Sequence, residues 1–321
     1  MTKHFHWLII LFVSLACLPS IGLSALFDWD EINFAECARE MIVSNDYFNV
    51  TINFEAFWEK PPLFIWMQAL SMLTFGVNEF AARFPNVLAA VFTLLTLYRF
   101  GKTFFGEQFG IAWSALYACS ILPFMYFNSG IIDPWFNLFI FNGIIQFYMG
   151  STQQQTRHFL LAGLFIGLAI LTKGPVGLLL IGGAFAIYFF VHRFKNFPSF
   201  KNLVLFLIAT LLIGSLWFIL LLITGHHEII QAFIDYQIRL FQTQDAGHGG
   251  PIYYHWLILL FGVFPASFFL IAHLRNKEIK RLNLDLIMHG MLWFTLVLFS
   301  IVKTKIVHYS SFCYFPISYF G

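Results

Sequence analysis

Ten stretches of 15 to 24 residues carry no charged side chain, and they recur along most of the chain with short polar breaks between them. They cover 8–26, 84–98, 109–132, 134–156, 158–172, 174–191, 202–225, 253–271, 286–302 and 306–321. A bilayer core about 30 Å thick is crossed by about 20 helical residues. Backbone donors and acceptors in lipid must bond within their own segment, so these runs predict α-helices. The expected fold is therefore all-α, a polytopic transmembrane bundle of about ten spans. Composition points the same way. Of 321 residues, 59% are hydrophobic and 11% are charged, whereas soluble domains carry about 25% charged residues. So few polar side chains cannot cover a water-facing surface. The net charge of +2 gives no reason to expect a nucleic-acid partner.

Two runs need separate treatment. Residues 8–26 follow Lys3 and contain Leu23-Ser24-Ala25, features shared with cleaved leaders. Because further spans follow, the run reads as a retained first helix. The 158–172 run reaches only about 22 Å at 1.5 Å per residue, short of the core, which leaves room for a helix that stops inside the protein.

Charge sets a topology. With the N-terminus in the cytoplasm and sides alternating, the inner breaks hold Lys3, Arg99, Lys102, Arg157, Arg193, Lys195, Lys201, Arg275, Lys277, Lys280 and Arg281, which is 11 of 18 basic residues. Of the 16 acidic residues, only Glu107, Glu278 and Asp285 fall inside. Two outer segments are long, 27–80 and 224–252. Within the first, 31–43 alternates apolar residues with Glu36, Arg39 and Glu40, which predicts a short amphipathic helix on the membrane surface. Asp28 and Glu31 resemble a capping box at its start. Residues 61–75 fit a second interfacial helix. The sequence stops at Gly321 within an apolar run, so the expectation is one membrane domain over 1–321 taken from a longer protein. Cys17, Cys37, Cys119 and Cys313 show no CxxC spacing and read as small buried apolar residues.

Ionisable groups at a membrane boundary are expensive and mark functional candidates. On the outer side lie Asp30-Glu31, Glu59-Lys60-Pro61-Pro62, Arg83, Asp133, Lys173, His248, Tyr253, Lys303, Lys305 and His308-Tyr309. Each has an ordinary reading taken alone. Asp133-Pro134 is a common turn pair, and Lys173, Lys303 and Lys305 suit lysines that snorkel from helix ends. Their shared side of the membrane is the stronger argument for a site.

In order, Asp30-Glu31, Ala35-Glu36, Ala38-Arg39-Glu40-Met41, Glu59-Lys60-Pro61-Pro62-Leu63, Arg83-Phe84-Pro85, Asp133-Pro134, Thr172-Lys173-Gly174-Pro175 and Lys303-Thr304-Lys305 with His308-Tyr309 resemble the GT-C glycosyltransferases. The likeness is to the group containing bacterial aminoarabinose transferases of lipid A and protein O-mannosyltransferases. It implies a glycosyltransferase, hexosyl- or pentosyl-transferring, that takes sugar from a polyprenyl-phosphate donor and delivers it to a lipid, glycan or protein acceptor. It implies Asp30 as the catalytic carboxylate with Glu31 beside it, and Asp133 as the second acidic residue. Glu59, Lys60, Arg83, Lys173, Tyr253, Lys303, Lys305, His308 and Tyr309 become the substrate-binding set. Glu59 and His248 match a pair that can hold a divalent metal in some members, although metal is not required throughout the family. The expected location is the bacterial inner membrane, with the active site extracytoplasmic and the sugar transferred with inversion. The chain departs from the aminoarabinose transferases at Asn33, where an arginine is common. That counts against lipid A modification in particular, not against the family.

Two other readings compete. A secondary transporter or channel would gather its charges near the bilayer midplane, often with inverted repeats, and no repeat is evident. An O-antigen ligase or polymerase shares the lipid-linked substrate but not the Asp-Glu and Glu-Lys-Pro-Pro series.

Overall fold

The computed structural model describes residues 5–27, 29–243, 248–275 and 283–321. Lys3, Asp28 with the cap expected of it, and Lys277, Glu278, Lys280 and Arg281 lie outside the described residues. Helix α1 (Phe5–Cys17) leads to α2 (Trp29–Ser44), a small antiparallel hairpin of β1 (Thr51–Ile52) and β2 (Glu55–Ala56), and α3 (Leu63–Phe75). Then come α4 (Glu79–Phe105), α5 (Glu107–Ala118), α6 (Ile121–Phe127), α7 (Asp133–Gln153), α8 (Thr156–Lys173), α9 (Val176–Val191), α10 (Phe200–Gly214) and α11 (Leu216–Ile223). The second long polar segment folds as α12 (His227–Gln242). The described chain finishes with α13 (Tyr254–Gly262), α14 (Ala266–Arg275), α15 (Asn283–Ile301), a 3-10 helix (Val307–Cys313) and α16 (Tyr314–Phe320).

Every one of the ten apolar runs contains a helix or a helix pair, and the chain is an integral membrane protein. Among the described residues, α4, α8 and α15 are long and apolar enough to cross a bilayer singly. The pairs α5/α6, α10/α11 and α13/α14 also qualify if each bent pair is one span. Large apolar side chains such as Leu15, Phe190, Leu211 and Ile223 stay exposed, as lipid contact requires. The largest bend, 109° between α13 and α14, falls at Pro265. A proline inside a helix lacks its N–H and clashes with the preceding turn. Nearby, the Ser267 hydroxyl donates to Leu260 O at 2.6 Å.

Three expectations change. First, α8 does not stop short. It has 18 residues, because it takes in Thr156 and Arg157 at one end and Lys173 at the other. Polar side chains at helix ends can reach water while the backbone stays helical. Second, α2 forms as a helix whose apolar face packs into the protein. Phe34, Cys37, Ala38 and Met41 are buried, and Phe34 meets Phe64 of α3 edge-on. Third, Cys119 is exposed at the α5/α6 break, unlike the other three cysteines.

Helices α8 and α10 pack closely along their length, and glycine makes it possible. A Cβ on Gly163 would lie 2.5 Å from Phe206 O, and one on Gly167 would lie 2.9 Å from Thr210 O. Small residues four apart let backbones approach in a membrane bundle. We predict that Gly163→Leu lowers the thermal midpoint in detergent by the equivalent of about 1–3 kcal/mol. An unchanged midpoint would show that the two helices can part without cost.

Candidate active site

One buried ion pair fixes the two chain segments that carry the acidic candidates. Arg83 on α4 and Glu31 on α2 are both almost fully buried. Arg83 donates Nε to Glu31 Oε1 at 2.8 Å and Nη2 to Oε2 at 3.0 Å. Its remaining donors reach Ile21 O, Ser24 O and Ala25 O at 2.7–2.9 Å, tying down the turn between α1 and α2. Glu31 in turn accepts the backbone N–H of Gly130 at 2.6 Å and of Phe27 at 3.0 Å. Asn86 holds the same 129–131 loop by donating to Ser129 O and Ile131 O at 2.6 and 2.7 Å. A side chain on Gly130 would press within 3.2 Å of Glu31, Gln68 and Ala82. Asp30 adjoins this lock directly, and Asp133 lies two residues beyond Ile131. Glu31 and Arg83 are therefore corrected from catalytic and substrate-binding candidates to a structural clamp, because their hydrogen-bonding capacity is spent inside the protein.

The clamp leaves Asp30 and Asp133 facing a common partner. His308, from the 3-10 helix, places Nε2 3.4 Å from Asp30 Oδ2 and 3.8 Å from Asp133 Oδ2. Asp133 is 2% exposed. Its Oδ1 accepts from Lys173 Nζ at 2.7 Å and from the Ser311 hydroxyl at 3.5 Å. Its Oδ2 has no hydrogen-bond donor and points toward His308. Lys173 also stacks over the rings of Phe136 and Tyr309. Lys60 is held more loosely. Its ammonium lies 3.6 Å from Glu59, 3.5 Å from the Tyr236 hydroxyl and 4.9 Å from the centre of that ring.

Asp133, Lys173 and Lys60 open onto a cavity of about 110 Å³, whereas Asp30 and His308 lie beside Asp133 and do not line it. Lys60, Asp133, Asn137, Lys173, Gln237 and Tyr309 supply its polar lining. The rest is an apolar wall from α9 (Val176, Leu179, Leu180), α12 (Leu240) and α15 (Leu298, Phe299, Val302), with Phe136 and Phe312.

Other candidates stand apart from this cavity. Lys305 is buried and donates to Phe299 O, Ser300 O and Val302 O at 2.6–2.8 Å, so it caps the end of α15. Burial pushes its ammonium pKa down. Lys303 and Tyr253 are exposed and do not line the cavity. Of the suggested metal pair, Glu59 meets Lys60 and His248 is exposed. Among the described residues, no group of three or more His, Cys, Asp or Glu side chains is arranged to hold a metal ion.

Sequence reading missed Tyr236, Asn137 and Ser311. Tyr236 carries a legible signal, because Ile229, Phe233, Tyr236 and Leu240 recur at helical spacing and mark one face of α12. Asn137, one turn after Asp133, donates to Ser311 at 2.8 Å. Nothing in the sequence pairs those two.

An all-helical membrane bundle whose charged groups from distant helices meet at the mouth of an apolar cavity defines the GT-C class of glycosyltransferases. The family model described as dolichyl-phosphate-mannose-protein mannosyltransferase matches residues 59–223, half of the chain, and the chain belongs to that family. It is 28% identical over 318 residues to an undecaprenyl phosphate-alpha-4-amino-4-deoxy-L-arabinose arabinosyl transferase of Shewanella sediminis, covering 96% of this chain and 57% of the relative. The fold matches ArnT from Cupriavidus metallidurans bound to undecaprenyl phosphate, with a TM-score of 0.89, 20% identity, and coverage of 100% of this chain and 60% of that one. It also matches the archaeal oligosaccharyltransferase AglB from Archaeoglobus fulgidus in complex with an inhibitory peptide and a dolichol-phosphate. There the TM-score is 0.64 at 12% identity, with coverage of 99% of this chain and 50% of that one. The chain spans less than three-fifths of the length of relatives such as the Shewanella protein.

Proposed function

We propose that this chain carries the catalytic membrane domain of a transferase that moves a sugar from a polyprenyl-phosphate donor to an acceptor hydroxyl or phosphate. One observation carries the reading. Two lysines and a carboxylate share one cavity with a wall of leucine, valine and phenylalanine. That pairing suits an amphiphile with an anionic head and a hydrocarbon tail. The relatives' donors and bound lipids, as their names give them, support the same choice.

In this mechanism Lys60 meets the donor phosphate, since it is the less engaged of the two cavity lysines. As the bond from the sugar's anomeric carbon to the phosphate oxygen breaks, the phosphate keeps the electron pair. A positioned ammonium in a water-poor site stabilises that charge. The acceptor oxygen attacks the anomeric carbon from the opposite face, which inverts it, and Asp30 takes its proton. Asp133, held by Lys173, orients the acceptor. The site faces the extracytoplasmic side of the inner membrane, in line with the basic residues of the opposite loops.

Transfer is tested by incubating membranes with radiolabelled polyprenyl-phosphate sugars and fractionating the acceptors. Lys60→Met should raise the donor KM by about 10- to 100-fold, as expected for losing a hydrogen bond to a charged group. No labelled acceptor with any donor sugar would refute the proposal, and an unchanged KM would remove Lys60 from the phosphate.

A further inference from the structure

A carboxylate such as Asp30 is a weak base for an uncharged hydroxyl. A second acceptor behind it would let the proton leave the reaction zone. His308 occupies that place. Its Nε2 lies 3.4 Å from Asp30 Oδ2, on the side away from bulk water, since His308 is 4% exposed and the Asp30 side chain 19%. The same nitrogen lies 3.8 Å from Asp133 Oδ2, a buried oxygen with no hydrogen-bond donor. Lys173 and Ser311 occupy only the other oxygen of Asp133. A proton arriving on Nε2 would thus sit between two carboxylates, one of them otherwise unsatisfied. Until it arrives Nε2 is an acceptor and Asp133 Oδ2 has no donor, so proton uptake satisfies a buried oxygen that is costly to leave unpaired.

We propose that His308 is the positioning residue of the transfer site, storing on Nε2 the proton that Asp30 takes from the acceptor. This rests on the transferase reading above and adds to it. One proton moves from the acceptor hydroxyl to Asp30 and on to Nε2. The acceptor oxygen forms the new bond to the anomeric carbon, and the phosphate departs with the electrons of the old one. His308 then returns the proton to water or to the departing phosphate. The groups facing it come from several elements: Asp30 from α2, Asp133 from α7 and the Tyr126 ring of α6 at 6.5 Å. The Tyr309 ring is 5.5 Å away, and Lys173 lies beyond Asp133, on its other oxygen. His255 of α13 is close enough to be influenced by its charge.

The test uses membranes containing the whole protein and initial rates from pH 5 to 9. Wild type should lose kcat on the acid side, because protonating His308 before turnover removes the acceptor. His308→Gln should lower kcat by about 10²-fold, leave the donor KM within roughly threefold, and abolish that acid limb. Because His308 acts through Asp30, adding His308→Gln to Asp30→Asn should cost no more than about twofold further. A wild-type profile flat from pH 5 to 8 overturns the assignment without any variant. So does a His308→Gln protein that keeps the acid limb, or a double variant whose losses multiply. Wild type that transfers no sugar from any polyprenyl-phosphate donor overturns the proposed function together with this inference.

Discussion

Asp30→Asn should reduce kcat for sugar transfer by about 10²–10⁴-fold, the usual contribution of a positioned general base. The substitution keeps the size of the side chain and removes its charge and basicity. Asp30 is partly exposed at the first turn of α2 and is not among the residues of the Arg83 clamp. The fold should therefore survive, and the donor KM should change by no more than a few-fold. Single-turnover transfer of labelled sugar in membranes measures the first quantity, and the dependence of rate on donor concentration measures the second. A variant with wild-type kcat would remove Asp30 from proton transfer. A variant whose loss lay in KM alone would make it a binding residue.

Arg83→Ala should be the most destabilising single change in the protein. It leaves the Glu31 carboxylate buried without its cation and strips partners from Ile21 O, Ser24 O and Ala25 O. Breaking one side of a buried ion pair typically costs 3–5 kcal/mol. Arg83→Ala should therefore yield little folded protein. The paired change Glu31→Leu with Arg83→Met should recover much of the stability, since an apolar replacement leaves no uncompensated charge. Activity should not return with it, because Gly130 N–H and Phe27 N–H lose the oxygens that set the approach of Asp30 to Asp133. Thermal unfolding in detergent followed by tryptophan fluorescence, with transfer assayed on the same samples, separates the two effects. Equal stability of Arg83→Ala and wild type would refute the clamp. A stable, fully active double variant would show that it does not position the site.

Much of the architecture is legible in the sequence. Where 109–132 or 286–302 lacks charge, lipid leaves the backbone no option except internal hydrogen bonding, and helices α5/α6 and α15 follow. The candidate site was visible as a set of ionisable residues at the edges of such runs. Its members were not separable by type. Glu31 and Asp30 are adjacent acids, yet one is sealed against Arg83 and the other meets His308. Lys173 and Lys305 each lie at the edge of a long apolar run, yet one pairs with Asp133 and the other caps carbonyls.

The sequence alone determined a helical membrane bundle with ionisable residues at the edges of its apolar runs, because hydropathy and charge act locally along the chain. Only the tertiary structure decided which charges neutralise one another and which stay open to a substrate. Those choices join residues such as Glu31 and Gly130, 99 positions apart, and depend on how helices pack, at distances where a displacement of one ångström makes or breaks a contact.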